Sequence, residues 1–183
     1  MTIIFDRSKK ISLDDESFRS ELLSIASKID DVIPLGRGDP DFHTPKHIVD
    51  AAKKALDDNK HHYTPPNGLP ELRFAISKNL LKKYNLNYSE NEIVVTAGVQ
   101  ESIALAMLSL LETGDEVLIT SPRFTTYDLN VRMCNAKPIP IPTYEKNNFS
   151  LMPEIIENKI NERTKVIVLV SPNNPTGAVT PPE

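Results

Sequence analysis

The segment Lys165-Val-Ile-Val-Leu-Val170 constrains this chain more than any other. It holds five consecutive β-branched or aliphatic residues with no polar residue on either side of the alternation. A run that short and that uniformly apolar suits a strand covered on both faces, the signature of a parallel sheet between helices. Glu116-Val-Leu-Ile-Thr120 repeats the theme, and Glu92 to Ala97 (EIVVTA) reads as a further short strand broken by Gly98. Lys137 to Pro142 (KPIPIP) is extended too, but its three prolines cannot donate ladder hydrogen bonds, so it belongs at a sheet edge.

Helical patterns fall between these runs. An amphipathic helix is expected over Asp15 to Ile29, with Phe18, Leu22, Leu23 and Ile25 on one side and Pro34 ending it. A second starts at Thr44 as N-cap with Pro45 at the first helical position and buries Ile48, Val49, Ala52 and Leu56. Others are expected from Pro70 to Tyr84, Val99 to Leu111, Phe124 to Met133 and Pro153 to Asn161. Val99 to Leu111 is apolar almost all round, which predicts a buried helix. Strands alternating with helices give an α/β fold with a mostly parallel sheet flanked by helices.

Composition narrows the partners. Among 183 residues, 21 Lys and Arg against 25 Asp and Glu give a net charge of −4, with the signs interspersed. No basic stripe suits nucleic acid. No apolar run reaches the ~20 residues a membrane helix needs, and the N-terminus lacks a signal-peptide layout, so a cytoplasmic protein is expected. The single cysteine, Cys134, offers neither a disulfide nor a paired metal site. His43 and His47 have helical spacing, yet His43 precedes the expected N-cap, so solvated histidines are expected there and at His61-His62. Gly36-Arg-Gly38 is followed by Asp41 where a dinucleotide fingerprint requires glycine, and no GxxxxGK[ST] segment occurs.

Fifteen prolines against six glycines make each glycine informative. Gly114, in Thr113-Gly-Asp115, marks a turn. The other five lie in four segments: Leu35-Gly-Arg-Gly-Asp-Pro-Asp-Phe-His-Thr-Pro45; Tyr63-Thr-Pro-Pro-Asn-Gly-Leu-Pro-Glu-Leu-Arg73; Thr96-Ala-Gly-Val-Gln100 together with Ser121-Pro-Arg-Phe-Thr-Thr-Tyr127; and Ser171-Pro-Asn-Asn-Pro-Thr-Gly177. In this order and spacing they resemble the N-terminal part of the class I/II aminotransferases, pyridoxal-phosphate enzymes of fold type I. The resemblance covers residues from about 15 to the end. It implies an N-terminal arm and small-domain segment over 1–45 and an incomplete cofactor-binding large domain over 46–183.

The resemblance also implies roles. Gly98, Val99 and Gln100 sit where the chain enters a helix, and free backbone N–H groups at a positive helix end can hold the phosphate of pyridoxal 5'-phosphate. Phe124 takes the place of the aromatic ring that stacks on the cofactor's pyridine; its alternative is an ordinary core aromatic. Asn174 emerges at the carboxyl end of the 165–170 strand, where open α/β sheets bind ligands, and corresponds to the asparagine that donates to the cofactor's phenolic oxygen. Its alternative is an exposed turn. Tyr63 matches a tyrosine that reaches the neighbouring subunit's phosphate in a homodimer; otherwise it is a half-buried anchor of the Pro65-Pro66 turn. Gly38 matches the glycine beside the substrate carboxylate. Gly68 and Arg73 look structural.

The activity so implied is transfer of an amino group between an amino acid and a 2-oxo acid. The same motifs also occur in carbon-sulfur lyases and ring-forming synthases of this fold, and a non-catalytic binding domain derived from it is a further alternative. No residue of the chain is assigned a catalytic role. The family's Schiff-base lysine follows a serine downstream of Asn-Pro-Thr-Gly, whereas Ser8-Lys9, Ser27-Lys28 and Ser77-Lys78 all lie upstream. By that reading the 183-residue chain is inactive alone.

Overall fold

The computed structural model describes residues 21, 22, 24–33, 38 and 40–181. Contacts divide them into two compact units, one up to Thr96 and one from Ala97 onward.

The second unit contains a three-stranded, wholly parallel sheet. Its strands are β1 (Glu116–Ser121), β2 (Lys137–Pro142) and β3 (Thr164–Val168), in the order β2-β1-β3. β1 pairs in parallel with β2, Glu116 opposite Lys137 through Ser121 opposite Pro142. On its other side it pairs with β3, Val117 opposite Val166 through Ile119 opposite Val168, with an irregularity at Glu116/Val117. The proline-rich segment therefore occupies an edge, where its missing N–H groups leave no ladder position unmet.

Three helices of this unit concern the sheet: α3 (Val99–Leu110), α4 (Thr126–Met133) and α5 (Pro153–Glu157). On one face of β1, Val117 and Ile119 pack with Met107 of α3, Leu111, Val131 of α4 and Ala136, and Val166 and Val168 of β3 join them. Alternation sends Leu118 and Thr120 to the opposite face, where Leu118 and Ile141 of β2 are also fully buried. Burying a Val or Ile side chain contributes roughly 1.5–3 kcal/mol, so β1, with Val117, Leu118 and Ile119 all inaccessible, is the anchor of the unit. Gly114 turns into β1 at φ +95°, and its N–H donates to the Asn135 carbonyl.

The first unit holds α1 (Lys46–Asp57) and α2 (Pro70–Tyr84), the latter at the bounds its sequence predicts. Arg73 and Ser77, one turn apart on α2, both grip the segment that follows. Arg73 Nη1 donates to the Glu90 carbonyl at 2.6 Å and Ser77 Oγ to the Tyr88 carbonyl at 2.5 Å. Gly68, at φ +96°, lies so close to Val95 that a Cβ there would come within 2.7 Å of the valine Cβ. The Val95 N–H donates to the Asn67 carbonyl. The structural roles expected of Gly68 and Arg73 are thus visible as contacts.

Several expectations are corrected. Residues 93–96 form no strand, though Ile93 is extended, and Glu92 closes a short 3-10 turn, Glu90–Glu92, with the reciprocal Ser89–Glu92 cap. A β-branched run becomes a strand only beside a partner edge, and the one backbone bond shown here goes to a loop carbonyl. α1 starts at Lys46 with Pro45, not Thr44, in the N-cap position, because Pro45 is extended at ψ 138°. It buries none of its residues: Ile48 and Leu56 are exposed. α3 buries only Met107, since one face meets the sheet while Leu105, Leu108 and Leu110 point to solvent. α4 begins at Thr126 rather than Phe124. α5 ends at Glu157, and Asn161 builds the turn into β3, its Oδ1 accepting from the Arg163 N–H. β3 is not covered on both faces and both sides; among the described residues it is an edge, with Leu169 just past it 58% exposed. Of the helix expected over Asp15 to Ile29, residues 21, 22 and 24–26 are helical. Residues 15–20 and 23, and the Pro34 stop, lie outside the described residues.

Candidate functional site

The strand order makes the site. β1 leads by way of α4 to β2 on one side, while β3 returns to the other side of β1. The carboxyl ends of β1 and β3 are therefore neighbours at the point where the order reverses, the place where open parallel sheets form a crevice. Ligands of open parallel sheets bind in such crevices. The β1 loop carries Phe124 and the β3 loop carries Asn174.

Two side-chain hydrogen bonds tie three segments together around it. Asn173 Nδ2 reaches from the β3 loop to the Pro122 carbonyl of the β1 loop at 3.2 Å and also donates to Thr176 Oγ1 at 2.9 Å. Gln100 Nε2, in the first turn of α3, donates to Thr126 Oγ1 at the start of α4 at 3.2 Å. The peptide bonds before Pro122, Pro172 and Pro175 are cis. Asn174 is exposed and Phe124 half-buried, so both keep surface that a ligand can reach.

Gly98 opens α3 at φ +86° and ψ 167°, a backbone few L-residues adopt. The helix that follows begins with N–H groups at Val99, Gln100 and Glu101 that have no acceptor within the helix. All of Gly98, Val99 and Gln100 are exposed, and a Cβ on Gly98 would meet no atom within 4 Å. Glu101 lies in the same turn, its Oε2 accepting from the Ala97 N–H at 2.5 Å. An anionic group is already drawn to this end of the helix, which agrees with a site suited to phosphate while adding a charge that phosphate must tolerate. Donor set, accessibility and the flat ring of Phe124 fit the phosphate and pyridine parts of pyridoxal 5'-phosphate.

Arg123 and Asp128 form the strongest ion pair of the region. Arg123 Nε donates to Asp128 Oδ2 at 2.6 Å and Nη2 to Oδ1 at 2.5 Å, with both side chains about 20% exposed. Hydrogen bonding to Asp128, supported by its charge, raises the guanidinium above its ordinary range against the opposing effect of burial.

Tyr63 and Gly38 belong to the first unit. Tyr63 is fully exposed, which removes the alternative of a half-buried anchor. Gly38 is exposed with no atom within 4 Å of a built Cβ. Sequence reasoning missed Asn173, Thr126, Glu101 and the Arg123–Asp128 pair. A signal existed for the first, since a second asparagine beside Asn174 at a strand end has no packing role to fill. Among the described residues, no group of three His, Cys, Asp or Glu is placed to hold a metal, and no helix is long and apolar enough to cross a membrane.

A parallel sheet flanked by helices is what this chain shares with solved aminotransferases. The chain superposes on an alanine aminotransferase from Pyrococcus furiosus with a TM-score of 0.89 at 32% identity, covering 97% of this chain and 47% of that one. It superposes equally well on the Thermus thermophilus aspartate aminotransferase solved with maleate, TM-score 0.89 at 32% identity, covering 98% and 48%. By sequence it is 46% identical to an aspartate aminotransferase of Pyrococcus horikoshii over 171 residues, 93% of this chain and 44% of the relative. It is 36% identical to an aromatic-amino-acid aminotransferase of Thermococcus litoralis over 173 residues, covering 94% and 44%. These likenesses make it an α/β chain of the fold type I aminotransferase architecture. The family described as aminotransferase class I and II matches residues 30–183, and the chain belongs to that family. It spans somewhat less than half the length of the curated relatives it matches.

Proposed function

We propose that this chain supplies the phosphate, ring and phenolate contacts of a pyridoxal 5'-phosphate-dependent aminotransferase, which moves an amino group between an amino acid and a 2-oxo acid. The observation that carries the reading is the Asn173–Pro122 hydrogen bond, which joins the loops bearing Asn174 and Phe124 across the switch-point crevice. Family membership supplies the reaction class.

In this reading the N–H groups of Gly98, Val99 and Gln100 receive the phosphate dianion, and the end of α3 favours its charge. Phe124 lies against the pyridine ring and excludes water from one face of it. Asn174 donates its amide to the phenolic oxygen and so fixes the tilt of the ring. When bound, the cofactor supplies an electron-poor ring that takes up the charge left when an amino acid loses its α-proton. Gly38 leaves room beside the substrate carboxylate, and Tyr63 reaches a neighbouring subunit's phosphate through its phenol, which makes the active protein a homodimer. Residues 1–45 act as arm and small-domain segment and 46–183 as part of the cofactor-binding domain.

The test is amino transfer by the natural protein supplied with pyridoxal 5'-phosphate, with 2-oxoglutarate as acceptor and aspartate, alanine or tyrosine as donor. Glutamate formation with at least one donor is expected, and Asn174→Ala is expected to lower kcat/KM by about tenfold or more, the loss of one hydrogen bond to a charged group. Absence of transfer from every donor, with no pyridoxal retained on gel filtration, would end the reading.

A further inference from the structure

We infer that Asp128, acting through Arg123, is a positioning residue that sets the orientation of Phe124 in the crevice. The inference rests on the proposed role of Phe124, and it concerns a pair that no part of that role requires.

The loop between β1 and α4 is held at three places. Pro122 is tied through its carbonyl to Asn173. Arg123 is clamped to Asp128 by two parallel hydrogen bonds. Thr126 receives Gln100 through its hydroxyl, and its carbonyl accepts from Asn130 Nδ2 at 3.0 Å. Phe124 and Thr125 are the span between these fixed points. The Arg123 fork is planar and bidentate, so it fixes direction as well as distance. It bridges the residue immediately before the ring to the first turn of α4, where a negative side chain is also favoured by the helix end. Cutting it leaves Phe124 attached to one fixed neighbour through a freely turning Arg123. A ring that must lie parallel to another ring feels such a change directly, because stacking depends on the angle between planes.

The chain contains no tryptophan and five tyrosines, so Phe124→Trp creates a single tryptophan reporter, excited selectively at the red edge of the absorption band, at the position in question. In that background Asp128→Asn is expected to shift the emission to the red and lower its anisotropy, with far-UV dichroism unchanged. Arg123→Lys, which keeps the charge and loses the planar fork, is expected to give the same shift, and Asp128→Glu to recover part of it. Should Asp128→Asn unfold the chain, Arg123→Lys decides alone. Unchanged emission and anisotropy in a folded variant of either kind overturns the inference. Titration with pyridoxal 5'-phosphate separates this result from the proposed function. Quenching of the reporter that weakens in the Asp128→Asn variant supports both. A reporter that responds to Asp128→Asn but is never quenched upholds the positioning role of Asp128 and removes the cofactor from the crevice. Equal quenching in both proteins, with no change in emission, upholds the cofactor and overturns the role of Asp128.

Discussion

The side-chain amide of Asn173 spans 3.2 Å to the carbonyl of Pro122, a residue 51 positions earlier, and so fastens the loop after β3 to the loop after β1. The neighbour of each partner is a residue with an expected ligand contact, or lies one step from it: Asn174 on one loop, Phe124 on the other. The tie extends the β1–β3 pairing beyond the sheet into the two loops.

Asn173→Ala removes that tie and the bond to Thr176 together. Each hydrogen bond contributes about 0.5–1.5 kcal/mol net, so a loss of about 1–2 kcal/mol is expected after allowing for partial exposure. Urea unfolding followed by circular dichroism measures it. An unchanged midpoint would show that the loops are held apart from Asn173.

Two glycines with positive φ give a paired prediction. Gly98→Ala places a methyl group in open space and costs only the strained backbone at φ +86° and ψ 167°, about 1–3 kcal/mol. Gly68→Ala also meets a positive φ, +96°, and in addition forces Val95 to move, because the new Cβ falls 2.7 Å from the valine Cβ. Overpacking adds roughly 1–3 kcal/mol, so the second variant melts lower than the first. Differential scanning calorimetry of the two proteins orders them; the reverse order would contradict the close approach of Gly68 to Val95.

Glu101→Gln keeps an oxygen for the Ala97 N–H and removes a negative charge from the first turn of α3. A single charge at a helix end is worth about 0.3–1 kcal/mol, so inorganic phosphate is expected to bind about two- to fivefold more tightly. Phosphorus NMR titration at low ionic strength reads the affinity, and the gain shrinks with added salt. Weaker binding by the variant would mean that Glu101 organises the turn more than it repels the anion.

Acid should loosen the 3-10 turn ahead of this segment. Glu92 accepts from the Ser89 N–H at 2.9 Å and its hydroxyl at 2.8 Å, and these bonds lower its pKa below the ordinary 4.5. A lowered folded-state pKa means the cap contributes fully above pH 4.5 and is lost as pH falls through the lower folded value. The Ser89 amide resonance, followed against pH, is expected to titrate with a midpoint below 4.5 and to lose that transition in Glu92→Gln. A midpoint at or above the ordinary value would contradict the cap.

Much of this molecule was legible in the chain because the deciding physics is local. The apolar Val117, Leu118 and Ile119 of β1, the prolines of β2 and the Pro70 start of α2 each follow from what a residue can donate, bury or allow at φ. The ordered glycine, proline and asparagine motifs pointed to the family for the same reason, since they mark backbone that only a few residues can adopt. Where the local signal depended on an absent neighbour, it misled. Residues 93–96 have strand composition but no strand beside them among the described residues, and α1 has an apolar stripe with no described surface to bury it.

The tertiary structure alone decided what meets what. Nothing in the spacing of Gln100 and Thr126, of Arg123 and Asp128, or of Asn173 and Pro122 fixes their contact, because each depends on how the strands are ordered and where the helices land. The order β2-β1-β3 puts the carboxyl ends of β1 and β3 side by side, although 46 residues lie between Ser121 and Val168. Sequence determined which segments become strands and helices, through propensity and burial. Long-range pairing of β1 determined which of their ends share a crevice.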